Sequence, residues 1–156
     1  MRFGAVRLSA RRERFAHVDT TTAPALDITL PAVPGAASHA RQAVHELATG
    51  RVGDGEAVAL AVSEAVTNVV IHAYRDRDPD SEPGEVHVTV TIDGEELLVS
   101  VADDGPGMRP RSDSPGAGLG LPLIAKLADR FEVQEQRSGT RLLLGFGLRR
   151  PADRAS

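Results

Sequence analysis

The chain of 156 residues has no Cys and no Trp, 3% aromatic residues and a net charge of −4 at pH 7. This length suits one domain with one core, and the lack of thiols excludes disulfides and thiolate metal sites. Sparse aromatic residues and negative charge argue against direct nucleic-acid binding, and no apolar run approaches the roughly 20 residues that span a bilayer. We therefore predict a soluble, cytoplasmic protein with one functional site and no membrane association.

Residues 1–23 form an Arg-rich segment that carries five Arg against one Glu and one Asp. This composition is typical of a flexible arm, and a partner-binding arm is the alternative. We assign residues 24–150 to one domain and residues 151–156 to a tail.

The first elements of the domain follow from hydrophobic periodicity. Leu26, Ile28 and Leu30 alternate with polar residues and predict a strand. Two helices are predicted next, over residues 34–49 and 54–74, the second with Asp54 as its N-cap. Apolar spacing assigns these residues of the second helix to the core: Val58, Val62, Val66, Val69 and Ala73.

A hairpin is predicted after the second helix, because residues 86–92 and 97–103 alternate apolar and polar side chains around an Asp-Gly turn. A Gly-rich loop over residues 105–118 follows, then a helix over residues 119–129 and two more strands. One face of every strand is apolar. The predicted fold class is therefore α+β, a two-layer α/β sandwich whose largely antiparallel sheet is covered by helices on one face.

The second predicted helix carries a polar stripe, in which Glu64, Asn68 and His72 lie four residues apart. A solvated helix surface is the simplest interpretation of the stripe, and a helix-end role is the simplest for His72. However, an Asn amide oxygen can bind Mg²⁺, and a Glu one turn away can position or deprotonate a nucleophile. Small side chains flank the stripe and would leave room for a ligand: Ala57, Ala61 and Ala65.

Two aspartates end the third predicted strand, in the sequence VADDGPGM. Strand phase places Asp103 on the apolar side and Asp104 on the opposite side, where we interpret it as a solvated turn residue. A carboxylate beside an apolar layer needs a hydrogen-bond donor, and the amino group of an adenine would serve. Gly105 and Gly107 would allow a base to approach the backbone. A plain Asp-Gly turn is the alternative interpretation.

Two further segments contribute weaker signals. The sequence GAGLGL, residues 116–121, opens a predicted helix after a Gly-rich loop, as in sites where backbone amides hold phosphate. It matches neither the Walker loop nor the Rossmann fingerprint. Thr140 is in phase with the inward residues of the last strand, so its hydroxyl is predicted to meet Asp103. A hairpin turn at Ser-Gly-Thr is the alternative.

Four sequence pieces occur in a fixed order, namely SEAVTNVVIHAY, DDGPGM, GAGLGLPLI and SGTRLLL. In this order they resemble the histidine-kinase-like ATPase superfamily, which includes gyrase and sensor kinases, over about residues 24–148. More narrowly, the chain resembles the small anti-sigma-factor serine kinases. The resemblance implies the histidine-kinase-like ATPase (Bergerat) fold, a two-layer sandwich with a mixed, mostly antiparallel sheet.

The same resemblance implies ATP and Mg²⁺ as cofactors and gives roles to individual residues. Glu64 would be the general base, Asn68 the Mg²⁺ ligand and Asp103 the adenine contact. The remaining residues implied in nucleotide binding are Gly105 and Gly107 beside the base, Met108 at the start of the lid, Gly116, Gly118, Leu119 and Gly120 at its phosphate end, and Thr140, which would support adenine through water.

The function implied by the resemblance is phosphorylation of a Ser or Thr on an anti-sigma antagonist, together with sequestration of a sigma factor and a possible homodimer. The lid is short, and its only basic residues are Arg109 and Arg111. The alternative function is therefore a nucleotide-gated protein-binding module with little or no kinase activity. An orphan sensor-kinase catalytic domain is disfavoured, because no segment looks like a dimerisation helix bearing a phosphoacceptor His.

Overall fold

Five strands and three α-helices build two layers in the computed structural model, which describes residues 22–74, 77–105 and 120–152. The strands are β1 (Leu26–Pro31), β2 (Glu85–Asp93), β3 (Glu96–Asp103), β4 (Arg130–Glu135) and β5 (Thr140–Gly147). The helices are α1 (Ala36–Ala48), α2 (Gly55–Asn68) and α3 (Gly120–Leu127), and a π-helical segment, Val69–Ala73, continues α2. The domain boundaries stay predictions, because most of the Arg-rich arm and of the tail lies outside the described residues.

The strands form one sheet in the order β1-β2-β3-β5-β4, and each of the four neighbouring pairs is antiparallel. The predicted α+β sandwich with a mostly antiparallel sheet is confirmed, although these four pairs show none of the mixed character that the resemblance implied. The β2–β3 hairpin turns where the Asp-Gly signal places it. Gly94 there has φ +58, which a Cβ would make unfavourable.

Period-2 alternation gives the sheet one apolar face. Its inward residues are buried: Val86, Val88, Val90, Leu97, Val99, Val101, Leu142, Leu144 and Phe146. The α1, α2 and α3 helices contact β1, β3 and β4 respectively, so the core lies between the two layers. Burying each such Val or Leu contributes about 1.5–3 kcal/mol, which makes this face the main source of stability.

The alanines beside the polar stripe of α2 differ in burial. Ala61 and Ala65 are buried in the core, whereas Ala57 is half-buried. The α1 helix packs against α2 with buried small residues of its own, including Ala36 and Ala40. Small side chains let two helices approach closely, so the buried alanines also suit helix packing.

The end of α2 differs from the predicted helix. Asp54 caps its start by accepting a hydrogen bond from the N–H of Ala57 at 3.0 Å, as expected. The α-helix ends at Asn68, however, and the last predicted turn is π-helical. Five of the six residues from 66 to 71 are β-branched and therefore poor helix formers, which lowers the cost of a widened turn. Among the described residues, no helix is long and apolar enough to cross a membrane.

Candidate functional site

Asp103 is the last residue of β3 and is only 3% exposed. Its Oδ1 accepts a hydrogen bond from the N–H of Gly105 at 3.0 Å, whereas its Oδ2 is buried and has no partner in the described part of the chain. An unsatisfied buried carboxylate oxygen is rare, because it loses hydration and gains no bond. Oδ2 is therefore ready to accept a hydrogen bond from a ligand.

The electrostatics of Asp103 agree with this geometry. Burial raises the pKa of the Asp103 carboxyl, and the charge of Asp104 acts in the same direction. Backbone N–H groups of Gly105 and Thr140 act against this rise. A further N–H donor at Oδ2 would stabilise the ionised carboxylate, so the site favours a ligand that brings one.

The β4–β5 turn closes over Asp103. Gly139 has φ +90, and a Cβ at this position would lie 1.9 Å from the carbonyl oxygen of Asp103. Only Gly fits such an approach. Thr140 follows as the first residue of β5, is 3% exposed and donates its backbone N–H to Asp103. The structure thus brings Asp103, Gly105 and Thr140 together.

A second group of polar residues lies on α2. Asn68, its last residue, is 9% exposed, while Glu64 and His72 are half-buried. The side chains of Glu64 and Asn68 form no hydrogen bond or ion pair with another described residue. A buried amide usually has protein partners, so the carbonyl oxygen of Asn68 is suited to an external ligand such as Mg²⁺. The π-helical segment after Asn68 contacts β3 and so connects this group to the strand that carries Asp103.

Several predicted site residues fall in the lid. Gly107, Met108, Gly116, Gly118 and Leu119 lie outside the described residues. Gly120 is described as the first residue of α3, which packs against α2.

Tyr74 and its link to Asp104 were missed by the sequence reasoning. The Tyr74 hydroxyl lies 2.7 Å from Asp104 Oδ1 and 2.6 Å from the carbonyl oxygen of Glu85. Asp104 is exposed, as predicted, but the hydrogen bond from Tyr74 holds its carboxylate and lowers its pKa, which the interpretation as a solvated turn residue did not include. The sequence contained one signal, since Tyr74 is the only Tyr in the chain.

The chain is similar to known proteins in sequence and in fold. Residues 30–146 match the family described as a histidine kinase-like ATPase domain. The anti-sigma F factors of Clostridium kluyveri and Clostridium acetobutylicum are 33% and 31% identical to this chain over an alignment of 99 residues, and these matches cover 56% of this chain and 66% of theirs. The serine-protein kinase RsbW of Bacillus pumilus is 34% identical over an alignment of 106 residues, and the match covers 58% of this chain and 64% of the relative.

A solved structure of the RsbU and RsbW domains of a Mycobacterium tuberculosis protein is also similar. It has a TM-score of 0.62 and 28% identity, and the match covers 83% of this chain and 34% of that one. The matches with the curated relatives span just under two thirds of the relatives' own length.

Proposed function

Because the chain belongs to the histidine kinase-like ATPase domain family, we propose that it binds ATP with Mg²⁺ and phosphorylates a Ser or Thr of an antagonist protein. Relatives named anti-sigma F factor and serine-protein kinase RsbW support this activity. They also support a sigma factor as the partner that the protein sequesters. We place this activity in the cytoplasm, where a sigma factor acts.

The observation that carries the proposal is the buried, unpartnered Oδ2 of Asp103. In the proposed complex it accepts a hydrogen bond from the exocyclic amino group of adenine. Gly105 has no side chain to obstruct the base, and Thr140 lies beside Asp103 at the start of β5. A carboxylate that accepts an amino proton selects adenine over a purine with a carbonyl at the same position.

The other end of the nucleotide is assigned to α2 and the lid. The Asn68 amide oxygen is the proposed Mg²⁺ ligand, because this side chain is only 9% exposed and has no hydrogen-bond partner among the described residues. Mg²⁺ would neutralise charge on the phosphates. Backbone N–H groups are proposed to bind the phosphate oxygens. They belong to Gly120, the first residue of α3, and to Gly116, Gly118 and Leu119, which lie outside the described residues.

Glu64 is the proposed general base of the transfer. It lies one turn before Asn68, so its carboxylate and the proposed Mg²⁺ ligand share one side of α2. The substrate hydroxyl oxygen forms a bond to the γ-phosphorus as its proton passes to Glu64. The bond from this phosphorus to the β,γ-bridging oxygen breaks, and ADP leaves with the electron pair.

A phosphoryl-transfer assay tests this role. With γ-labelled ATP and a candidate antagonist as substrate, we expect Glu64→Gln to lower the transfer rate by about 100-fold or more, the usual contribution of a general base. ATP binding should be retained, because Glu64 is not assigned to the adenine or the metal. Glu46→Gln, at an exposed position of α1, is the matched control and should transfer normally. A normal rate in Glu64→Gln would contradict the assignment.

The short lid favours a second candidate function, a nucleotide-gated binding module. The seven residues between Met108 and Gly116 include two Arg as the only basic groups. If the parent protein captures a sigma factor in pull-downs only with ATP present, and transfers no label to any antagonist, the binding module is the correct function.

A further inference from the structure

The hydroxyl of Tyr74 bridges two segments that are distant in sequence. It lies within hydrogen-bond distance of the Glu85 carbonyl at the start of β2 and of Asp104 Oδ1 just beyond β3. A phenol has one proton to donate, so both acceptors draw on the same O–H. Tyr74 therefore connects the end of the helical segment to the corner that follows β3.

Two neighbours contact the ring of Tyr74. A Cβ on Gly84 would lie 1.8 Å from the Tyr74 Cε1, so the ring rests directly on the Gly84 backbone. The guanidinium carbon of Arg77 lies 4.9 Å from the ring centroid, a cation–π distance. The hydroxyl is consequently held at a fixed position.

The protonation states suit a permanent hydrogen bond. Burial raises the pKa of Tyr74, and its hydrogen bond to Asp104 adds to the rise. The same hydrogen bond lowers the pKa of Asp104. The donor therefore keeps its proton and the acceptor keeps its charge around neutral pH.

The hydrogen bond from Tyr74 to Asp104 lies one residue from Asp103 and so bears on the orientation of the Asp103 carboxylate. Asp104 is the chain neighbour of Asp103, whose Oδ1 and backbone are already held by Gly105 and by the turn at Gly139. Ser138 Oγ donates to the carbonyl oxygen of Asp104 at 3.1 Å and holds the corner from the β4–β5 turn. The bond from Tyr74 holds the carboxylate of Asp104 from the side of the helical segment. Movement at Asp104 would turn the Asp103 carboxylate, because the two residues share a peptide unit.

We propose that Tyr74 is a positioning residue for adenine recognition: through Asp104 it holds the corner so that Oδ2 of Asp103 meets the amino group of the base. This inference rests on the proposed function, since it assumes that Asp103 binds adenine. Tyr74 acts through Asp104 and does not touch the nucleotide.

The test compares ATP with inosine triphosphate, which carries a carbonyl in place of the exocyclic amino group. Dissociation constants of both are measured by calorimetry with Mg²⁺. Tyr74→Phe keeps the ring and its contacts with Gly84 and Arg77 and removes only the hydroxyl. We expect it to weaken ATP binding about 5- to 10-fold, the equivalent of one hydrogen bond, and to leave the affinity for inosine triphosphate unchanged.

Two variants of Asp104, which is exposed, provide matched comparisons. Asp104→Asn keeps an acceptor for the Tyr74 hydroxyl and should preserve the preference of the parent for ATP. Asp104→Ala removes the acceptor and should behave like Tyr74→Phe.

The results distinguish a wrong role for Tyr74 from a wrong adenine site. If the parent prefers ATP but Tyr74→Phe and Asp104→Ala keep the full preference, the positioning role is wrong and the adenine site stands. Equal weakening of both nucleotides in these variants would mean a general structural role, which also overturns the inference. A parent that binds both nucleotides equally, or neither, overturns the adenine assignment itself and the inference with it.

Discussion

Asp103 combines two properties that are seldom found in one side chain, burial and an unsatisfied carboxylate oxygen. The fold raises the pKa of Asp103 above its ordinary value of 3.8. The folded protein therefore binds a proton at this carboxyl more tightly than the unfolded chain does. The free energy of unfolding therefore falls as the pH rises from below 3.8 through the raised pKa, and it stays lowered above it. At neutral pH the ionised Asp103 destabilises the fold in the absence of a ligand.

The raised pKa of Asp103 predicts how the stability of a variant without this carboxyl changes with pH. Asn does not titrate, so Asp103→Asn should gain stability relative to the parent as the pH rises from 4 to 7. Urea unfolding at several pH values measures the difference. Asp104→Asn is the control with the opposite sign, because the pKa of Asp104 is lowered in the fold and its contribution is lost on acidification. Stability differences that do not change with pH would contradict the assigned environment of Asp103.

Among single residues, the burial of Asp103 could be predicted from the sequence. Alternation along β3 places Asp103 among the buried residues, and the structure buries it. The Tyr74–Asp104 bond could not be predicted, because it joins residues 30 positions apart and leaves no periodic trace in either element. The burial of Asn68 was equally hidden, since it depends on how the end of α2 meets the sheet.

At the element scale the β4–β5 turn is a structural part of the candidate site. Gly139 lies so near Asp103 that a side chain would displace the backbone of β3. The turn therefore sets the position of the strand end as well as joining two strands.

Gly139→Ala tests this dependence. We expect it to lower the free energy of unfolding by about 2–4 kcal/mol, because strain at positive φ adds to a backbone clash. Gly50→Ala is the matched control. Gly50 also has a positive φ, +79, but nothing lies within 4 Å of the added Cβ. Its cost should be about 1 kcal/mol. Equal losses of unfolding free energy in the two variants, measured by denaturant unfolding, would show that position 139 has room for a side chain beside Asp103.

Elements were predicted well where periodicity defines them and poorly where hydrogen-bond geometry does. The β1 and β2 strands show an alternation that is visible in the sequence, whereas residues 142–146 of β5 form a run without polar side chains that is buried throughout. The change from α- to π-helix after Asn68 left no such sign, because Val69 is buried in either geometry. The alanines of α2 illustrate a second limit, since Ala suits both an open ligand face and a tight helix contact.

At the scale of the whole molecule, strand order determines what surrounds the site. β3 lies between β2 and β5, so Asp103 emerges where three strands and the α2 helix meet. A largely antiparallel, one-sided sheet could be predicted from phase alone. The order of the strands could not, because each pairing depends on contacts between distant residues.

The pair formed by Glu96 and Arg130 shows how such contacts fix the order. The Arg130 Nε donates to Glu96 Oε1 at 2.9 Å, which links β3 to β4 across β5. Gly145 of β5 lies beneath the pair, where a Cβ would be 2.2 Å from the Glu96 carboxylate. Three residues from three strands meet at this point, and no single segment of sequence predicts it.

Calorimetry of the parent and of Asp103→Asn with ATP and with inosine triphosphate tests adenine recognition by Asp103. Because the N–H of Gly105 donates to Oδ1, an Asn would keep its oxygen there and direct its NH₂ group at the adenine amino group. Two donors would then face each other, which leaves a buried donor unsatisfied and costs about 1–3 kcal/mol. We expect the parent to bind ATP at least about 10-fold more tightly than inosine triphosphate, and Asp103→Asn to lose this preference. A parent that does not bind ATP, or an Asp103→Asn variant that binds ATP as tightly as the parent, would contradict the claim.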